Sequence, residues 1–566
     1  MMVKTNNVYQ LMKEHFVNLW NNIWFVVSAC CFYLSLYARD EIRKRAIILA
    51  VVAAVIIAIL STKLKNVILN SNKYVLILSV LCVLGSNNYY EGLRGILLES
   101  SRFLGLCSYL VFSPSLLAST VVCLSWIGSF PFFMTVFCYL YQWITDNIIK
   151  ELKKEWNRTD VIIFLSALGI ILLLIVLLFN TSSCFYTTVT SYDVVYTADT
   201  PVFISGDVWT NLFHGENDYR QPLFAIVSAP FFSPFYLVKR LVPGTFYFMA
   251  VWVCLIHASL MIVSSYLIST IIISKRKNRW LFVGLYMSMY SSLLFVVMME
   301  QFTVATFWVL IMVYSVCNQK KNGELAWMCA TGSLTTSIVL LPFVCFKNEM
   351  WNNLIQQMIV TIKNGIKFFL YYLCVVCLFT RYDAIKQFID RVMTPGFVST
   401  DKHARLIQFL NFPYTCFLEP NSEVIDYGGH MAWFMKSTDN VNKLSVIILL
   451  ISLCGGILYL CGKKGFITIH ERILGGFVTT WILFSVFVLY IYGWGTGEGA
   501  LVLYSLYFGW AYFIGGFLFA RRFLRPCLNE NLVLVCGTFA TVILCFINVR
   551  SLWIMASNLA PYYPLI

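Results

Sequence analysis

The chain has 566 residues, of which 59% are hydrophobic and 12% charged, with a formal charge of +14. Soluble domains carry about 25% charged residues, so this composition, with a mean hydropathy of +0.76, excludes an ordinary soluble enzyme and a disordered chain. Nor does the positive charge point to nucleic acid, because the basic residues sit in short clusters between apolar runs, as in the cytoplasmic loops of membrane proteins.

In chain order, the opening MMVKTNNVYQLMKEHF is polar and leads into no short apolar stretch with a small-residue cleavage site. No removable signal peptide is expected. Residues 1–149 hold four or five apolar segments and are read as an N-terminal membrane module; 150–566 form a second region. Basic clusters at Asp40 to Arg45, Lys150 to Arg158, Ser274 to Arg279, Lys320-Lys321, Lys463-Lys464 and Arg521-Arg522 are expected on the cytoplasmic side. Between them, spans are expected at 161–179, 281–298, 303–317, 368–380, 444–461, 473–490, 500–519 and 531–547. The stretch 222–274 is too long for one crossing and calls for a broken or re-entrant helix. The polar centre ATGSLTTS within 326–346 calls for a bend. A hydrocarbon core of ~30 Å then accommodates about 13 to 15 crossings. The expected fold is an all-α polytopic membrane bundle with amphipathic helices in its outer loops. No internal repeat is visible. Most of the 19 cysteines, such as Cys30-Cys31, Cys254 and Cys454, lie in apolar runs and read as small apolar filler. Cys374 and Cys377 form a C-x-x-C inside an expected span, where accessible thiolates are out of place. Cys184 and Cys416 alone fall in expected outer loops, where a disulfide between them is conceivable.

Two outer loops are long, at 181–221 and 381–442. The first contains Asp193, Asp199, Asp207, Glu216 and Asp218, with His214, a single Arg220 and no Lys. A helical stretch is expected from Pro201 to Phe213, capped by Asp199 or Thr200, with Pro in the first turn. Helical spacing turns Val202, Phe203, Val208 and Phe213 broadly to one side, as in a helix lying at the interface. Then Asp218-Tyr219-Arg220-Gln221-Pro222-Leu223-Phe224 puts an acid and a guanidinium at the mouth of an apolar run, where Arg is suited to bidentate phosphate binding.

This order resembles the first outer loop of the GT-C glycosyltransferases: Asp-Thr, an amphipathic helix, then Arg-Gln-Pro-Leu-Phe before a span. That superfamily includes the bacterial lipid A aminoarabinose transferase and the protein O-mannosyltransferases. Their pattern is an Asp-Glu pair, a helix parallel to the membrane and Lys-Pro-Pro-Leu-Phe or His-Pro-Pro-Leu. The match is tight over about 45 residues and looser from about 160 to 550. It implies a sugar donor on a polyprenyl phosphate, with Asp199 as the catalytic carboxylate and Arg220 as a ligand of the donor phosphate. It also implies an acceptor that is a cell-surface glycan, a lipid-linked saccharide or a protein, and an active site on the extracytoplasmic face of a bacterial cell membrane. Two positions depart from the pattern: Thr200 stands where the pair has its second acid, and Gln221 stands where it has its first proline. No cofactor is required by the residues; a divalent cation is compatible with the resemblance, without a ligand set to name.

Further substrate-binding candidates are Asp193, Asp218, Glu300 and Glu498. Asp193 and Asp207 otherwise read as solvated loop acids, and Asp218 as a local partner of Arg220. Glu300 lies in VVMMEQFTVATF, where a carboxylate beside hydrocarbon needs a cavity or a partner. Glu498 follows the turn Tyr492-Gly493-Trp494-Gly495-Thr496-Gly497, with Tyr504 and Ser505 beyond it. Trp494, Tyr492, Trp510 and Tyr512 read as belt or packing residues, and Trp209 and Trp433 as interfacial anchors or sugar-stacking rings. The second long loop carries His403, Glu419, Glu423, Asp426 and His430, without zinc-ligand spacing. Two other functions compete: a transporter or flippase of lipid-linked saccharide, and a glycan polymerase or ligase using polyprenyl-pyrophosphate chains. Arg381, Arg391 and Arg405 in the second loop favour the latter.

Overall fold

The computed structural model describes residues 23, 25–31, 73–85, 94–95, 97–110, 112–187, 194–196, 221–224, 226–232, 246–320, 323–345, 354–379, 389–390, 398–436, 438–462, 467–496, 500–524 and 530–565. The described residues are mostly helical, at 81%. Eight helices among the described residues are long and apolar enough to cross a membrane, or nine if one bent pair is a single span. The chain divides into two compact units. One comprises Met1–Glu151, Val208–Val238 and Asn364–Phe388, and the other Leu152–Asp207, Lys239–Lys363 and Ile389–Ile566.

The first unit contains α1 (Lys73–Gly85), α2 (Ser101–Tyr109), α3 (Pro114–Gly128) and α4 (Phe130–Ile144). α4 buries Phe132, Phe133, Met134, Thr135, Phe137, Leu140 and Trp143. The α3–α4 junction is fixed by Ser28, whose hydroxyl donates to the Gly128 carbonyl and accepts from the Phe132 amide.

The second unit begins with α5 (Arg158–Phe179), opened by a capping box in which Asn157 and Asp160 satisfy each other's backbone amides. Its 22 residues make a rod about 33 Å long, with apolar side chains on every face. α6 (Phe246–Ile272) packs against it, and α7 (Arg276–Met287) follows after a basic turn. The three meet in a cluster of Trp156, Tyr266 and Trp280, with ring centroids 5.1–5.8 Å apart. Arg279 pairs with Glu155 at 2.6 Å, and the Trp280 indole donates to Asp160 at 2.7 Å.

The span expected at 281–298 is not straight. α7 ends at Met287, α8 (Tyr290–Val297) leaves it at 72°, and all eight residues of α8 are buried. Breaking a helix strands a carbonyl, and the fold supplies its donor. The Asn548 carboxamide donates to the Ser288 carbonyl and to the Phe417 carbonyl, both at 2.8 Å. α9 (Phe302–Cys317) follows, then α10 (Gly323–Ser333), which gives way at Leu334 to a 3-10 turn over Thr335–Leu340. The bend expected in this segment falls there. α11 (Leu354–Phe379) begins well before the span expected at 368–380. Of the stretch 222–274, residues 226–232 are helical and α6 is continuous; residues 233–245 between them are outside the described set.

The second long loop contains α12 (Lys402–Phe417), capped by Asp401, and then a hairpin of β1 (Ser422–Tyr427) and β2 (His430–Met435). A hairpin replaces the purely helical loop expected. The segment SEVIDY-GG-HMAWFM pairs Ser422 with Met435 and Tyr427 with His430. Gly428 and Gly429 take φ of +63° and +92°, the left-handed pair that a two-residue hairpin turn demands. Asn411 ties α12 to the next helix by bonding Asn440 and Asn442.

α13 (Lys443–Leu460), α14 (Ile469–Ser485) and α15 (Ser505–Leu524) pack closely together. Small residues let the backbones touch, as in membrane helix pairs generally. A Cβ on Gly455 would strike the Gly515 carbonyl oxygen, and one on Gly515 would strike that of Ser452. Gly455→Val is therefore expected to lose about 1–3 kcal/mol, read as a lowered thermal midpoint in detergent; an unchanged midpoint would contradict this packing. α16 (Glu530–Leu559) closes the unit.

Candidate functional site

The first long loop starts after α5, and its described residues are held at two places. At its beginning, the Ser183 amide and the Ser182 hydroxyl both donate to the Tyr563 carbonyl, at 3.0 and 3.1 Å. Tyr563 follows α16, and its own hydroxyl donates to the Met431 carbonyl of β2 at 2.6 Å. Further on, Val194 to Tyr196 lies alongside β2. The Trp433 amide donates to the Val194 carbonyl at 2.8 Å and the Tyr196 amide to the Trp433 carbonyl at 2.9 Å, a parallel bridge.

The Tyr196 side chain enters a buried polar hub. Its hydroxyl lies 2.9 Å from the Ser422 hydroxyl and 3.0 Å from that of Tyr290 at the start of α8. The Trp433 indole N–H reaches both the Tyr196 hydroxyl and Glu419 Oε1 at 3.1 Å. Ser551 of α16 also donates to Glu419. The hub thus joins the first long loop, the hairpin, α8 and α16.

Burial pushes the Glu419 carboxyl above its ordinary 4.5, against the opposing pull of hydrogen bonds from Ser551, Trp433, Tyr196 and Tyr290. A carboxyl whose folded pKa is raised contributes stability below its unfolded pKa, and that stability is lost as pH rises through the folded value. Thermal midpoints of wild type and Glu419→Gln are compared from pH 4.5 upward. The wild type is expected to lose ground steadily against the variant, which does not titrate; a wild type that gains ground would mean that hydrogen bonding outweighs burial.

Of the residues singled out by sequence, Asp193, Asp199, Asp218, Arg220 and Glu498 lie outside the described residues, as do His214, Trp209 and the expected helix over Pro201 to Phe213. Asp193 directly precedes Val194, and Asp199 follows Tyr196 by three residues. Gln221, directly after Arg220, is buried. Glu300 is described. It sits between α8 and α9, 1% exposed, and accepts from the Gln301 amide at 3.2 Å. Beside this junction, α6 places the buried His257 ring against the carbonyls of Phe295 and Met298. The hub takes Tyr290 from one end of α8, whereas Glu300 follows the other end; α8 itself is about 12 Å long. They are two separate polar centres.

Several expectations about individual residues change. Trp433 is neither a stacking surface nor an anchor, because it is 4% exposed and its N–H is used within the hub. Cys184 and Cys416 are free thiols, with burial pushing Cys184 up to about 12. Asp426 accepts from the Gly429 amide in the hairpin turn, and Glu423 pairs with Lys436 at 2.8 Å. Trp510 and Tyr512 are core packing residues. Arg405 donates to the Ser399 carbonyl and lies against Gly493 of the late turn, which Ser399 also reaches through Thr496. Among the described residues, no three His, Cys, Asp or Glu side chains gather where they could hold a metal ion.

No local pattern singles out Tyr196 or Tyr290. For Glu419 and Trp433, the alternation in SEVIDY and HMAWFM around Gly-Gly was the available signal. No family model, curated protein or solved structure matches the chain.

Proposed function

We propose that the chain is an integral membrane glycosyltransferase that moves a sugar from a polyprenyl-phosphate donor to a hydroxyl on the extracytoplasmic face. The acceptor is a cell-surface glycan, a lipid-linked saccharide or a protein. The observation that carries the reading is the footing of the acid-rich loop: a polar loop on an apolar body is fastened at Val194–Tyr196 by backbone bonds and a buried hub. Chemistry that depends on one placed carboxylate needs such footing.

In the proposed reaction the acceptor oxygen attacks the anomeric carbon and its proton passes to Asp199. The bond from that carbon to the phosphate oxygen breaks, and its electron pair leaves with the polyprenyl phosphate. Arg220 meets the charge that grows there, where partial exclusion of water strengthens the interaction. Phosphate is a good leaving group, so one base and one clamp suffice, and a single displacement inverts the anomeric centre. The Asp193, Asp218, Glu300 and Glu498 carboxylates are assigned to substrate contacts.

A second reading, a transporter or flippase of lipid-linked saccharide, draws on the 72° break and on the buried Glu300 and His257 beside it, since broken helices and buried ionisable groups mark transport paths. The test offers purified protein in liposomes a panel of polyprenyl-phosphate sugars. Release of polyprenyl phosphate supports the transferase; movement of intact lipid-linked sugar between leaflets without release supports the second reading.

A further inference from the structure

Tyr196 is tied down more fully than packing requires. It is wholly buried, and its φ of +50° is a left-handed conformation that a bulky residue rarely adopts. Such a conformation persists only where its surroundings over-determine it, and such sites cluster where function needs pre-organisation. The surroundings here can be counted. Ser422 donates its own proton to the Pro420 carbonyl at 3.0 Å, so its oxygen is left to accept from the Tyr196 O–H. The Tyr196 oxygen also receives the Trp433 N–H, and it lies 3.0 Å from the Tyr290 hydroxyl and 3.5 Å from Glu419 Oε1. One donor and two acceptor sites are all that a phenol has, and four side chains, Ser422, Tyr290, Trp433 and Glu419, compete for them. The backbone N–H of the same residue is used as well, by β2.

Three residues link Tyr196 to Asp199, a covalent reach of about 10 Å. We infer that Tyr196 is a positioning residue, whose phenol clamps the first long loop onto the hairpin and so sets where the acids on either side of it can act. This rests on the transferase reading and deepens it. Asp199 does the chemistry, and Tyr196 acts only through the backbone it holds. Glu419 belongs to the same clamp, because it shares the Trp433 proton with the phenol.

The test is Tyr196→Phe in the full-length protein. It removes one oxygen, leaves Trp433 bonded to Glu419, and strands the Ser422 oxygen. Donor turnover is measured across pH, with thermal midpoint and hydrogen exchange of the peptide spanning 194–196. The expected result is faster exchange of that peptide and a kcat lower by about ten- to a hundredfold, with donor KM nearly unchanged. The acidic limb of the kcat–pH profile also moves, because Asp199 enters new surroundings. A mere loss of folded enzyme would scale the profile and leave the limb in place, and that result overturns the inference. So does a kcat within twofold of wild type. Should Tyr196→Phe fail to fold, Ser422→Ala attacks the same bond from the hairpin side and is expected to move the limb in the same direction; an unmoved limb again overturns the inference. If wild type itself releases no polyprenyl phosphate, the transferase reading fails and takes this role with it. If wild type turns over and Tyr196→Phe does so equally, the positioning role alone fails.

Discussion

Asp199→Asn is expected to abolish most sugar transfer while leaving the protein folded. A positioned carboxylate accepting a proton is worth typically about 10²–10⁴-fold, and Asn keeps the shape without the basicity. Donor KM should hold, because the proposed donor contact is the phosphate at Arg220, whereas kcat should fall by that factor. Arg220 gives the complementary pattern, since its charge is asked to stabilise a leaving phosphate. Steady-state release of polyprenyl phosphate by purified wild type and Asp199→Asn decides the matter. Unchanged turnover in Asp199→Asn would remove it as the base and pass the role to Asp193 or Asp207.

The second large effect is structural. Asn548→Leu is expected to destabilise the helical body by about 2–5 kcal/mol, because it orphans two carbonyls at once. The side chain is fully buried and sends one N–H to Ser288, where α7 breaks, and the other to Phe417, where α12 ends. Leucine fills similar space but donates nothing to either carbonyl. The measurement is the thermal midpoint in detergent, and a midpoint indistinguishable from wild type would show that the break is held by other means. Asn548→Asp should fare no better, since it replaces the donors with acceptors that face carbonyl oxygens.

These two residues also show how far the sequence could be read. Helices near 161–179, 444–461, 473–490 and 500–519 were legible because a run of apolar residues long enough to span hydrocarbon has few other ways to satisfy its backbone. The break after Met287 was not. Tyr-Met-Ser-Met-Tyr contains neither glycine nor proline, and the donor that stabilises the break comes from a residue 260 positions away. The hairpin carried a readable signal in its alternation and its Gly-Gly turn, although that signal is short beside the surrounding apolar runs. The hub had almost none. Tyr196 meets Tyr290 across 94 positions and Trp433 across 237, and distances of that kind are set by folding alone. Glu300 was legible as a carboxylate that needs a partner or cavity, and the structure does bury it; its separation from the hub by α8 was not legible. The role given to Asp199 and Arg220 comes from local order, acid, helix, base and span, which is the kind of pattern a sequence displays directly.

The most direct measurement is photo-crosslinking of the full-length protein in lipid nanodiscs with a polyprenyl-phosphate sugar carrying a photoreactive group beside the phosphate. Attachment is expected within residues 199–224, suppressed by unlabelled donor and weakened in Arg220→Ala. Attachment confined to the Glu300–His257 junction, or labelling that unlabelled donor does not suppress, would contradict it.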